Sequence, residues 1–437
     1  MSAVSKPLRG GKAHNDERDY SGQTKAFGGV GNRTIPKTPY GTSERQHRYV
    51  VWLTLIGIVF PPVLISLGGI NLTPGRLVAI VFFVPALGIL FGSDRNRVVA
   101  DFFAVALATW MLASSALNGG FKPYVGAEAL ELLGAFMIGR AFVFGPSNFQ
   151  TFVRALGPIT AVLVVLAVLD ISVGRHITLD SFGVPNHPAE RFGKVRAASV
   201  FEGAEHYGTY CAAAASIFLY SERGFRRVLY VGVSVFGCVL SLSSGPLLGL
   251  AIITFGFSYD CILKRYAWRW KALVIMIACF IVGISLVSDH PVAWIILHVT
   301  LDPQTGFFRL ATWDFALPLI GQSPFVGYGL IELGDSADAL IFLRSVDSLW
   351  LLEALRYGLP AVILLVMTIF SPLLNGPATA GTPNAQTGLT LAIVAIALIG
   401  LTVHFWDAPW LFLNLCVGIR ASFAEYQSRT WQAGRAP

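Results

Sequence analysis

Arginine, glutamate and histidine crowd into one short stretch of this chain, KVRAASVFEGAEHYG, where Arg196 is followed by Glu202, Glu205 and His206. A second arginine, Arg309, lies in TGFFRLATWDFALPLIGQSPFVGYGL, and Asp347 opens SVDSLWLLEALRYGLPA. A guanidinium never loses its proton, and its planar fork makes paired, charge-assisted bonds to phosphate oxygens. Arg196 and Arg309 are therefore candidate pyrophosphate ligands; the competing reading is that each snorkels to phospholipid headgroups. Asp347, Glu205 and His206 are the candidate catalytic groups, since a carboxylate or imidazole at a membrane surface can take the proton of a sugar hydroxyl. Asp347 also reads as a helix N-cap.

Other ionisable residues read as structural. Glu128 and Glu131 share a face of one apolar segment that also carries Arg140, Glu353 and Arg356 have the spacing of an i,i+3 pair, and His404 lies near Asp407. The five cysteines (Cys211, Cys238, Cys261, Cys279, Cys416) are scattered through apolar segments without CxxC spacing, so neither a disulfide nor a metal site is expected. No GxxxxGK[ST], HExxH or GxSxG occurs, which removes support for ATP-driven, zinc-dependent and common serine-hydrolase chemistry. No cofactor is expected.

The elements that must position these residues are membrane helices. Of 437 residues, 54% are hydrophobic and 13% charged, about half the charge of a soluble protein, and mean hydropathy is +0.63. The apolar residues fall in runs near the length that crosses a hydrocarbon core about 30 Å thick. The expected fold is all-α, a polytopic integral membrane protein with about 12 transmembrane helices, near 49–69, 77–92, 98–117, 125–144, 155–173, 205–220, 228–242, 246–263, 272–288, 348–370, 389–403 and 408–420. No secretory signal peptide is visible, and the first run reads as a retained signal anchor. Residues 1–48 are polar and carry nine of the 32 Lys and Arg, which reads as a disordered basic cytoplasmic tail; 421–437 reads as a cytoplasmic C-terminal tail.

With the N-terminus inside, alternate sides hold 23 and nine basic residues, so both termini are expected in the cytoplasm. The net charge of +7 follows these loop clusters, so it points to membrane lipids rather than nucleic acid. Two long outside loops result, about 174–204 and 288–346. The second contains PVAWIILHV and FFRLATWDFALPLI, expected to lie as helices in the outer interface.

This arrangement resembles the O-antigen ligase and polymerase superfamily, the Wzy-type bacterial polysaccharide polymerases and their ligase relatives. The likeness rests on Arg196 with Phe201, Glu202 and Gly208; on Arg309 and Trp313 followed by Pro324, Gly327 and Gly329; and on Asp347, Trp350, Leu351 and Gly358. It covers roughly 190–370, and by hydropathy layout most of 49–420. Ligases commonly carry histidine where Asp347 stands, which favours a polymerase. The resemblance implies metal-independent, inverting glycosyl transfer between undecaprenyl-pyrophosphate-linked oligosaccharides at the periplasmic side of the bacterial inner membrane. A chain-length regulator or other polysaccharide-assembly protein is an implied partner. The ligase reaction is the alternative within that family. A lipid-linked oligosaccharide flippase or transporter is the rival outside it, and no internal repeat supports that reading.

Overall fold

The computed structural model describes residues 44–67, 70–92, 95–120, 122–266, 268–287, 303–329, 346–374 and 383–435. Helix dominates: α1 (Glu44–Ile58), α2 (Pro74–Gly92), α3 (Val99–Leu117), α4 (Pro123–Phe142), α5 (Gly145–Val173), the single turn α6 (Ile177–Ser181), α7 (Ala204–Ser221), α8 (Gly224–Leu240), α9 (Ser244–Ile262), α10 (Arg269–Val287), α11 (Pro303–Gln322), α12 (Leu349–Phe370), α13 (Pro383–Ile399) and α14 (Ala408–Arg435). Two short antiparallel hairpins, β1 (Ile65–Leu67) with β2 (Ile70–Leu72) and β3 (Glu190–Arg191) with β4 (Lys194–Val195), are the sheet among the described residues. Each of the twelve apolar windows coincides with a helix. Among the described residues, five helices are long and apolar enough to cross a membrane: Pro74–Gly92, Val99–Leu117, Gly145–Val173, Ser244–Ile262 and Arg269–Leu286.

Three boundaries differ from expectation. The first helix begins at Glu44, inside the stretch read as tail, and stops at Ile58 because Pro61 and Pro62 follow; later in the 49–69 window, Ile65–Leu67 is the first strand of a hairpin. At the other end, α14 runs on to Arg435 through the stretch read as a C-terminal tail, and Ala421–Glu425 are buried there. The tail over 1–43, the PVAWIILHV segment and residues 330–345 of the long loop lie outside the described residues.

Helix α4 packs against α2, α3 and α14, while α7 lies among α8, α9 and α13. Apolar side chains gain little by leaving lipid for a helix interface, so close contact between backbones must do the work. At the α4–α14 crossing a Cβ on Gly418 would fall on the Phe136 carbonyl, and one on Gly139 would meet the Leu415 carbonyl at 2.5 Å. Helix α10, by contrast, carries an apolar surface with no buried residue in its spanning window, as suits a lipid-facing helix.

One junction sets how α11 and α12 meet. Helix α12 breaks at Gly358 (φ 79°), just before Pro360. The freed backbone groups are taken up by the loop after α11: Leu359 N–H donates to the Pro324 carbonyl at 2.7 Å, Tyr328 N–H to Leu355 at 2.7 Å and Gly329 N–H to Arg356 at 2.9 Å. A side chain at Gly358 would collide with the Phe325 carbonyl. From α3, Ser114 donates to the Val326 carbonyl at 2.6 Å and the Trp110 indole to the Tyr357 carbonyl at 2.8 Å. The proline and glycines that follow Arg309 thus form a backbone lock between the helix carrying Arg309 and the helix that Asp347 precedes.

Candidate functional site

The turn joining α8 to α9, Ser241–Ser244, gathers three guanidiniums. Arg196 Nε donates to the Ser241 carbonyl at 3.3 Å, Arg191 Nη1 to the Leu242 carbonyl at 2.8 Å, and Arg309 Nη1 to the Ser244 hydroxyl at 3.4 Å. Leu242 holds a left-handed backbone (φ 46°), which turns its carbonyl to serve this purpose. The arginines come from different parts of the chain. Arg191 sits on β3, Arg196 directly follows β4, and Arg309 stands in α11.

The segment carrying Arg196 is fixed from below by a buried aspartate. Asp170, in the last turn of α5, accepts the backbone N–H of Ile177 at 3.0 Å and of Ser199 at 2.8 Å. His176, also buried, hydrogen-bonds the Arg196 carbonyl through Nε2 at 3.0 Å. The chain from α5 to α7 is therefore an ordered strap, and the Arg196 backbone is held on both sides.

Two carboxylates face the guanidiniums. Glu205, in the first turn of α7, pairs with Arg196 Nη2 at 3.2 Å. Asp347 lies just before α12, exposed, with no hydrogen bond or ion pair among the described residues. The helix cap is Ser348, whose hydroxyl accepts from Leu351 N–H at 3.4 Å, so Asp347 is not the N-cap that its position suggested. Partial loss of hydration and the neighbouring Glu205 charge raise the Asp347 carboxyl to about 6, against the opposing pull of Arg309 and Arg196. Burial pushes both Arg309 and Arg196 below the usual arginine value, partly offset by Asp347 and Glu205.

Arg309 is the least satisfied member. It is buried, and among the described residues its Nε has no partner and its hydrogen bond to Ser244 is long. Leaving such a donor unpaired is costly in a closed interior. Helices α7, α9 and α12 each begin beside residues of this cluster. The arrangement suits an anion with several oxygens.

Of the residues singled out from sequence, Arg196, Arg309, Glu205 and Asp347 are brought together. His206 is not. It is buried, its Nε2 lies 2.8 Å from the His404 carbonyl, and its ring meets Trp406 edge-on at 4.2 Å, so it faces the 404–406 loop rather than the guanidiniums. Arg356 pairs with Glu128 on α4 at 3.4 Å instead of Glu353, and Tyr357 donates to the same Glu128 carboxylate at 2.6 Å. Glu131 pairs with Arg76 on α2, and Asp407 accepts from Thr73 at 2.7 Å. Arg140 is engaged at the opposite end of α4.

Arg191 and the 241–244 turn were not singled out as site elements. The available signal was weak: Arg191 stands in the same outside loop as Arg196, and LSLSSGP is a plain serine-rich turn between two apolar runs. No protein-family model and no curated protein matches this chain.

Proposed function

We propose that this chain is a polymerase of bacterial surface polysaccharide, an exopolysaccharide or O-antigen, joining undecaprenyl-pyrophosphate-linked repeat units at the periplasmic face of the inner membrane. The observation that carries the reading is Arg309, a buried guanidinium with unspent donors, set beside Arg196 and Arg191 and opposite two carboxylates. In the accompanying topology twelve helices cross the membrane with both termini cytoplasmic. The cluster then lies outside, where lipid-linked sugars present their reacting ends.

The reaction is a displacement at an anomeric carbon. The acceptor hydroxyl oxygen forms its bond to C1 as the C1–O bond to pyrophosphate breaks, and the configuration inverts. The bonding pair departs on the pyrophosphate oxygen, where Arg309 and Arg196 stabilise the growing charge in a site of low dielectric. The hydroxyl proton passes to Asp347, whose carboxyl at about 6 is ionised at neutral pH yet retains basicity. An apolar trough of about 380 Å³ between α1 and α5, lined by Trp52, Phe60, Ile159 and Phe182, runs up to Val200 and offers room for an isoprenoid tail close to the Arg196 strap. Holding both lipid-linked sugars removes much of the entropic cost of their encounter.

Purified protein given lipid-linked repeat unit, with neither metal nor nucleotide added, is expected to build longer lipid-linked glycans. Arg309→Ala is expected to abolish extension while protein level and repeat-unit supply stay normal. Normal polymer length and yield from that variant would end the pyrophosphate assignment.

A further inference from the structure

Beside the guanidinium cluster, on the far side of the α7 N-terminus, lies a shallow depression lined by Pro62, Phe201, Glu202, Trp406 and Asp407. Its chemistry differs from that of the arginine centre. Trp406 is partly exposed and lines the depression, and its indole N–H donates to the exposed Glu202 carboxylate. His206 meets the same indole edge-on at 4.2 Å and His404 lies against it at 5.1 Å, so the ring is wedged in place. Asp407, next in the chain, holds a left-handed backbone (φ 51°) that few residues other than glycine adopt, and its carboxylate is tied to Thr73 at 2.7 Å. A strained residue pinned from a separate part of the chain marks a loop whose shape is enforced.

An exposed tryptophan in a membrane protein often serves as an interfacial anchor, with its N–H turned to headgroups or water. Here that donor is spent on the Glu202 carboxylate. Its negative charge is a poor neighbour for anionic headgroups. A rigid indole with a flanking carboxylate acceptor instead suits a neutral polyhydroxylated ring. The apolar C–H face of a sugar covers the indole, and its hydroxyls donate to Glu202.

We propose that Trp406 and Glu202 form the subsite for a pyranose ring, the sugar that supplies the attacking hydroxyl. The acceptor role rests on the polymerase reading above; the sugar-binding claim stands apart from it. Glu202 and Glu205 are three residues apart, so at most about 10 Å of backbone separates the carboxylate that holds Trp406 from the one that holds Arg196. A sugar seated on the indole therefore shares the N-terminal end of α7 with the arginine assigned to the leaving group.

The test uses the full chain in lipid nanodiscs and saturation-transfer NMR with methyl glycosides of glucose, galactose, mannose and N-acetylglucosamine. At least one glycoside is expected to bind, Trp406→Ala to weaken it by about tenfold, and Trp406→Phe to restore part of the loss. Arg309→Ala should leave the signal intact. An unchanged signal in Trp406→Ala, or no signal from any glycoside with the unaltered protein, overturns the subsite. A polymerase failure with sugar binding retained would remove only the acceptor role.

Discussion

Two clusters of arginine and carboxylate lie toward opposite ends of this helix assembly, and they are built on opposite principles. In one, Arg95 donates through Nε to both oxygens of Glu425 at 2.9 and 3.0 Å, and through Nη2 at 2.8 Å to Glu425 and at 2.8 Å to the Arg140 carbonyl. Arg140 forks onto Asp101 at 2.7 and 2.8 Å and reaches Glu425 at 2.6 Å. Among the described residues neither of these two arginines has a buried nitrogen without a partner, whereas Arg429, which pairs with the same Glu425 at 3.1 Å, keeps a buried Nη2 without one. The cluster ties α14 to α4 and to the start of α3. In the other, the bonds of Arg196 and Arg309 are 3.2–3.4 Å long and, among the described residues, the buried Arg309 Nε is unpartnered. Short, saturated contacts mark a structural fastening. Long, incomplete ones mark a place kept ready for something else.

That contrast breaks first under substitution of the two buried arginines. Arg140→Ala leaves Asp101 without its arginine and takes one of three from Glu425, and removing one partner of a buried ion pair costs about 3–5 kcal/mol. A sharp fall in yield and in the unfolding midpoint of detergent-purified protein is expected. Arg140→Lys should rescue little, because an ammonium cannot reproduce the fork. Arg309→Ala should do the reverse, lowering transfer by about 10²–10³-fold while leaving the unfolding midpoint unchanged or raised. Equal destabilisation by both variants would erase the distinction drawn here.

The sequence carried the helices well and the fastening cluster poorly. Runs of apolar residues announce helices because lipid tolerates no unpaired backbone, so each of the twelve windows could be found by hydropathy alone. The helix ends were harder to see. Hydropathy does not register that Pro61 and Pro62 halt α1, nor that Glu425, which looks like tail, is buried against Arg95 and Arg140. Arg196, Arg309, Glu205 and Asp347 stood out because charge beside apolar runs is unusual. Arg191 and the Ser241–Ser244 turn did not, since their role arises only when hairpin, turn and α11 meet. His206 follows Glu205 in the sequence, but its Nε2 and ring face the 404–406 loop.

A smaller effect separates the clusters by pH. Asp347 must be ionised to accept a proton, so transfer should rise with pH through about 6 and then level off. One unit below that value the rate should be about tenfold lower than the plateau. Asp347→Asn should remove the inflection as well as slow the reaction, and a persisting inflection would assign the base elsewhere. The Arg95–Arg140–Glu425 cluster contributes no such dependence near neutrality if it serves only to hold helices together.

The finest discrimination concerns Arg196, which has one carboxylate partner and so sits between the two extremes. If the Glu205 contact is a fastening, Glu205→Gln should lower the unfolding midpoint. If Glu205 instead holds Arg196 in waiting, the same change frees a guanidinium while leaving an acceptor in place. The pair is partly exposed and its bond is 3.2 Å, so its worth lies at the low end of about 0–1 kcal/mol. Inorganic pyrophosphate measured by calorimetry should then bind Glu205→Gln about two- to fivefold more tightly, with little change in stability. Weaker binding would mean that the carboxylate orients the arginine more than it competes for it, and would move Arg196 toward the class that Arg140 represents.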